Sequence, residues 1–288
     1  MNTEKVLDID SSNLLVGIYS QAGNQSPLIL MFNVGLHTRT GPSRINVLLA
    51  RGLLKCGYSS FRFDLSGHGD HHIGHSKPAS AARSRKDLNQ VMDYFQSEHG
   101  ISSFIIVGLC SGAQLGQVVA ESDKRIVGSI MIDPYTTRNS QFFPYYFKNK
   151  LRDLLRVQKI KSLLSKRQKS DSPVLEGGPL EFWSQFKDKR AEIAASIQKT
   201  VGRGMPMMVV YTGGFSYYYS YFFQFHDMFE VGRSNTLVTV KWYRDADHLL
   251  SDPETQNNLL ADIENWLQSK KKAFSRGGRL ERTDNYGE

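Results

Sequence analysis

The segment FIIVGLCSGAQLG, residues 104–116, runs from an apolar stretch through Gly108-Leu109-Cys110-Ser111-Gly112 into a helix-like pattern. A strand, a sharp turn and a helix in this order can present one side chain at the strand's end. The usual spelling of such a turn is Gly-x-Ser-x-Gly, with glycines where strand and helix approach closely. Here the central slot holds Cys110, and the serine stands one place later. Only the central residue is projected outward, so the register makes Cys110 the candidate nucleophile rather than Ser111. A helix amino terminus and a nearby imidazole both favour the thiolate, the form that attacks. The backbone N–H of Ser111 would then point at a developing oxyanion. The plainer reading is a buried cysteine packed in a strand–helix turn.

A nucleophile needs a base. The late stretch WYRDADHLLSDPE supplies His248, after the last expected strand and before the last expected helix. The acid that orients the ring is harder to find, because the loop after the penultimate strand, in VVYTGGFSYYYSYFF, carries no carboxylate. Asp133, closing the strand in IMIDPY, can reach the same imidazole from the neighbouring strand end and is the choice. Asp227, farther along in an expected helix, and Asp245 stay open as alternatives. Asp247 adjoins His248, and a residue so close in sequence seldom faces the ring. A second oxyanion donor is expected from NVGLHTRTGPSR, in the N–H of Leu36. Arg39 and Arg44 of that loop could hold an acidic substrate group or form loop–helix salt bridges.

One cluster resembles a metal site. SGHGDHHIGH places His68, Asp70, His71, His72 and His75 together, but the first ligand position of a His-x-His-x-Asp-His pattern is Ser66. No metal and no cofactor are expected.

The elements around these residues set their positions. PLILMFNVG reads as a buried strand, and RINVLLARGLLKCG as a helix with Ile45, Leu48, Leu49 and Leu53 on one side and Gly57 as its stop. A strand follows in YSSFRFD, then a helix over 85–96 with Leu88, Val91, Met92 and Phe95 at i, i+3, i+4, i+7. RIVGSIMIDP, MPMMVVYTGG and TLVTVKWYRDADH add strands, and PETQNNLLADIENWLQ closes as a helix. Strands alternating with helices imply a mainly parallel sheet covered on both faces. Between Tyr135 and Gly204 the rhythm stops in an aromatic, helical stretch. It is read as a lid over the sheet's carboxyl edge, where open α/β sheets bind ligands. The expected division is a core of 1–134 and 205–272, a lid of 135–204, and a flexible basic tail of 273–288.

The 288 residues carry a net charge of +8, concentrated in KNKLRDLLRVQKIKSLLSKRQK and in the tail from Lys270. Leu151, Leu154 and Leu155 interleave with the bases of the first segment. This fits an anionic surface or, more simply, the solvated face of a packed helix. Two cysteines are too few for a disulfide framework, and no apolar run reaches the ~20 residues of a membrane span. Neither secretory signal nor nucleic-acid partner is expected, and the cytoplasm is the default location.

From end to end the motifs resemble the α/β-hydrolase superfamily. The Asp64, Gly67 and Gly69 turn is similar to the D-x-x-G-x-G loop common after the fourth strand of those proteins. More narrowly, NVGLHTRTGPSR, ARGLLKCGYSSFRFDLSGHGD, GLCSGA and DADH resemble serine aminopeptidase-like hydrolases of bacterial exopolysaccharide and exosortase loci. The chain departs from that pattern at its cysteine and at the missing carboxylate after YTGG. The resemblance implies an α/β-hydrolase fold and an acyl hydrolase, an esterase or thioesterase with transfer to another acceptor as a variant. Cys110, His248 and Asp133 would form the triad, with Leu36 and Ser111 as the oxyanion hole. The expected partner is a small or carrier-bound acyl substrate. The alternative is a weakened hydrolase serving as a binding module for an acidic polysaccharide or carrier protein.

Overall fold

A computed structural model describes residues 4–9, 15–23, 27–32, 37–66, 81–161 and 189–277. Among the described residues eight strands form one sheet: β1 (Glu4–Asp8), β2 (Val16–Ser20), β3 (Leu28–Phe32), β4 (Ser60–Phe63), β5 (Phe104–Leu109), β6 (Ile126–Ile132), β7 (Met207–Thr212) and β8 (Val238–Tyr243). Their spatial order is β1-β2-β4-β3-β5-β6-β7-β8. From β4 to β8 all pairs are parallel; β1 and β2 pair antiparallel at one edge. Those two strands escape a reading by periodicity because they are only partly covered. Arg62 of β4, nearly buried, reaches across to Glu4 of β1 at 3.1 Å.

The helices are α1 (Ile45–Lys55), α2 (Ala81–His99), α3 (Ser111–Ser122), α4 (Phe142–Lys161), α5 (Arg190–Gly202), α6 (Gln224–Phe229) and α7 (Pro253–Gly277). Along a strand successive side chains alternate faces, so Leu28, Leu30 and Phe32 of β3 enter one core while Ile29 and Met31 enter the other. The first core is closed by α2, α3, α5 and α6, the second by α1 and α7. Every residue of β3 to β7 is buried, as a parallel sheet covered on both faces requires. Gly57 (φ 86°) and Gly100 (φ 65°) take the left-handed conformation just beyond α1 and α2.

Two segments lie differently from the sequence reading. Within the stretch read as a lid, α5 packs on α3 inside the layered core. Ile193 and Ile197 are buried there, and Gln117 Nε2 donates to Ser196 Oγ at 3.1 Å and Thr200 Oγ1 at 2.9 Å. Helix α7 continues to Gly277, past the expected start of a flexible tail at 273. Phe274 holds it there, 3% exposed, against the Trp266 ring at 5.5 Å and above Gly128, where a Cβ would lie 2.9 Å from it. Among the described residues no helix is long and apolar enough to cross a membrane.

Removing the Gln117 amide leaves buried Ser196 and Thr200 without their donor and opens a small void. Gln117→Ala is expected to cost about 2 kcal/mol, lowering the melting temperature by about 5 °C in a thermal circular dichroism scan.

Candidate active site

Strand β5 delivers the chain into the turn, and helix α3 begins immediately after it. Cys110 sits between them at φ 52°, ψ −115°, a region that non-glycine residues rarely enter. Such a conformation costs about 1–3 kcal/mol and persists only where its surroundings impose it. Here the Cys110 N–H donates to the Ile132 carbonyl at 2.8 Å, and its carbonyl accepts from Ala113 N–H at 3.1 Å. A side chain at Gly108 would bring a Cβ within 2.4 Å of the Gly112 carbonyl oxygen, so only glycine lets the strand and helix meet. The result leaves Cys110 partly exposed at the carboxyl end of the sheet. Ser111 is the first residue of α3, and its N–H is among those a helix's first turn leaves without an intrahelical partner.

Asp133 follows β6 directly, also at positive φ (46°), with its side chain fully buried. Three donors satisfy the carboxylate. Thr212 N–H reaches Oδ1 at 2.7 Å, Thr212 Oγ1 reaches Oδ2 at 2.7 Å, and His248 Nδ1 reaches Oδ2 at 2.7 Å. With Nδ1 engaged, Nε2 is the nitrogen left free for the Cys110 side chain, which acts on the ring electrostatically. The structure therefore brings Cys110, His248 and Asp133 together at three strand ends, with His248 hydrogen-bonded to Asp133 and under the electrostatic influence of Cys110. Burial disfavours a charged imidazole, but the Asp133 and Cys110 side chains outweigh it and raise His248 from 6.5 to about 10.

A family profile described as serine aminopeptidase, S33, matches residues 34–195, more than half of the chain and inclusive of Cys110 and Asp133. The chain belongs to this α/β-hydrolase family. Solved structures share the fold at low identity. A dienelactone hydrolase from Anabaena variabilis superposes with a TM-score of 0.58 at 12% identity, covering 92% of this chain and 97% of its own. The Pyrococcus furiosus esterase Pf2001 gives 0.57 at 14%, covering 92% of each chain. A Xanthomonas campestris protein described as a serine hydrolase without a lid gives 0.53 at 11%, covering 93% and 95%. Among curated proteins none matches.

Of the remaining sequence candidates, Asp227, Asp247 and Arg39 are engaged by other partners. Asp227 is held by Arg233 at 2.6 and 2.9 Å and by Tyr221 at 3.1 Å; the guanidinium keeps its carboxyl below the usual range. Asp247 caps the turn after His248, accepting the Leu249 N–H at 2.7 Å, and Asp245 is exposed. Arg39 is drawn inward: its N–H and guanidinium both bond fully buried Asp64 at 2.5 Å, tying the loop after β3 to the end of β4. Arg44 is exposed at the start of α1. Leu36 and the 68–75 histidine cluster lie outside the described residues. Among those described, no group of acidic, His and Cys side chains could hold a metal.

The residues that periodicity missed are in YTGGF. Thr212 supplies two of the three donors to Asp133. A Cβ on Gly213 would lie 1.9 Å from the Arg244 carbonyl oxygen, and one on Gly214 would lie 2.5 Å from His248 N. Phe215 packs on the His248 ring, centroids 4.8 Å apart. The absent carboxylate was the signal: with no acid after β7, the same positions have to receive one from β6.

Two outcomes follow. Gly214→Ala is expected to displace the His248 loop and to remove the downfield proton resonance of the His248–Asp133 hydrogen bond in one-dimensional NMR. In nitrogen-15 histidine spectra His248 should keep both ring protons at pH 8, and Asp133→Asn should return its titration toward the ordinary value. Because its folded value is raised, the stability this group contributes is whole below about pH 6.5 and is lost as pH rises through about 10.

Proposed function

We propose that the protein is an acyl hydrolase that cleaves ester or thioester bonds through Cys110, with His248 as general base and Asp133 orienting the imidazole. The observation that carries the reading is the row Cys110–His248–Asp133, with the cysteine held at the head of α3 in a conformation that has to be imposed. A buried cysteine needs neither that backbone nor an imidazole backed by a buried carboxylate. Two of the fold neighbours are named an esterase and a dienelactone hydrolase, names that place them in the same reaction class.

In the proposed cycle, the proton of Cys110 already resides on His248 as an ion pair, and Cys110 Sγ attacks the acyl carbonyl carbon. The carbonyl oxygen becomes an oxyanion facing the N–H of Ser111, with Leu36 N–H as the second donor. Collapse expels the alcohol or thiol, which receives the proton from His248. Water then attacks the acyl thioester, His248 removing its proton. The acid departs and the ion pair is restored. Replacing water with another nucleophile gives transfer instead of hydrolysis. The aromatic rings of Phe215, packed on His248, and of Tyr218 beside it favour an apolar acyl group, small or carrier-bound.

Turnover of p-nitrophenyl esters and acyl thioesters tests the assignment. Cys110→Ala should lose activity by about a thousandfold or more, and His248→Ala comparably, while Ser111→Ala stays within about tenfold of wild type. Full activity in Cys110→Ala would end the reading. Loss confined to Ser111→Ala would move the nucleophile by one residue.

A further inference from the structure

Helix α4 has two unlike faces. On the inner side Phe142 is buried and its carbonyl accepts from Ser220 Oγ at 2.9 Å, while Asn149 Nδ2 donates to the Ser220 carbonyl at 2.6 Å. On the outer side Phe143, Phe147, Leu151, Leu154 and Leu155 recur at i, i+4, i+8, i+11 and i+12, which places them in one stripe. All five are open to solvent, Phe147 at 66% and Leu154 at 62%. Tyr217, from the segment after β7, is likewise 58% exposed. Single exposed apolar residues are ordinary; a contiguous stripe of this length marks a surface that something covers.

The charge around the stripe identifies what. Lys148, Lys150 and Arg152 are exposed along its borders, with Lys150 Nζ 5.8 Å from the Tyr217 ring centre. Over its whole length the helix carries Lys148, Lys150, Arg152, Arg156, Lys159 and Lys161 against one carboxylate, Asp153. A second copy of this helix would set those cations against their own kind. A nucleic acid would use the cations and leave the phenylalanines and leucines in water. An anionic bilayer takes both, apolar side chains at the headgroup–acyl boundary and lysines among the phosphates.

The position of the face fits that use. Helix α4 follows β6, and Tyr217 follows β7, so both lie at the carboxyl edge that holds Cys110 and His248. Contacts link them: His248 to Phe215 at 4.8 Å, Phe215 to Tyr218 at 6.4 Å, Tyr218 to Arg138 at 5.6 Å, and Arg138 to Phe143 at 5.9 Å. We infer that the outer face of α4 docks on an anionic lipid bilayer and turns the carboxyl edge of the sheet toward the membrane surface. Docking requires no turnover and stands independently of the acyl chemistry.

The full chain is floated with vesicles of phosphatidylcholine alone or with about one-third phosphatidylglycerol, at low and high salt. Wild type is expected to float with the anionic vesicles only, and less so at high salt. Phe147→Ser with Leu151→Ser, and separately Lys148→Glu with Lys150→Glu, should each lower partitioning about tenfold or more without shifting the melting temperature. Cys110→Ala should float like wild type, so that loss of docking and loss of catalysis are read separately. An environment-sensitive fluorophore on Phe147→Cys, with Cys56→Ser and Cys110→Ala to keep labelling specific, should report water before vesicles and bilayer after. Failure of wild type to float, or floating untouched by either pair of changes, overturns the proposal. So does a label already shielded without vesicles, which means the chain covers its own stripe, or a dimer by light scattering that Phe147→Ser with Leu151→Ser dissolves.

Discussion

Asp133 places a carboxylate where its side chain has no exposed surface, at the junction of three strand ends. An ionised group in such a place is tolerated only if its oxygens are fully engaged. Thr212 answers with its N–H and hydroxyl from β7, and His248 with its Nδ1 from the loop after β8. The local chain conforms to this need: Asp133 takes a positive φ to turn its side chain toward β7, and Gly213 and Gly214 give up side chains so that the His248 loop can close over them. Removing one partner would leave a buried charge or a misplaced ring, which is why the acid, the imidazole and the YTGG turn behave as one unit.

The nucleophile turn is set by a second constraint of the same kind. Gly108 lies so close to the Gly112 backbone that it can carry no side chain, and Cys110 is left in a strained backbone at the start of a helix. Across the sheet, Asp64 performs a matching task by holding the loop after β3 through both the backbone and the guanidinium of Arg39. An arginine that sequence inspection offers to substrate is thereby committed to architecture. Strain and buried charge cluster at the carboxyl edge, where local rules are broken, while β3 to β7 obey alternation and burial throughout.

Helix α4 is another local exception, and of a different sort. Its inner face is hydrogen-bonded to the segment after β7, so it is anchored, yet its outer face keeps phenylalanine and leucine in solvent beside lysines. Helix α5, from the same aromatic stretch, buries Ile193 and Ile197 in the core instead. The difference lies in the partner available. Helix α5 meets α3 through Gln117, whereas the stripe of α4 faces away from the sheet.

Read by itself, the sequence determined the alternation of strands and helices, the parallel core, the strand–turn–helix at Cys110 and the placement of His248 after the last strand. These are legible because periodicity, turn glycines and chain order are local properties. Strands β1 and β2 were not, being too open to solvent for a clear pattern. Nor was the extension of α7 to Gly277, which depends on Phe274 finding Trp266 and the gap over Gly128. Only the tertiary structure decided which carboxylate meets His248, since Asp133 and His248 are 115 residues apart and meet through strand adjacency. It also decided that Thr212, Gly213 and Gly214 serve that meeting and that Arg39 turns inward. Each of these is a question of which groups must share a desolvated space, and no spacing along a chain encodes that before the chain folds.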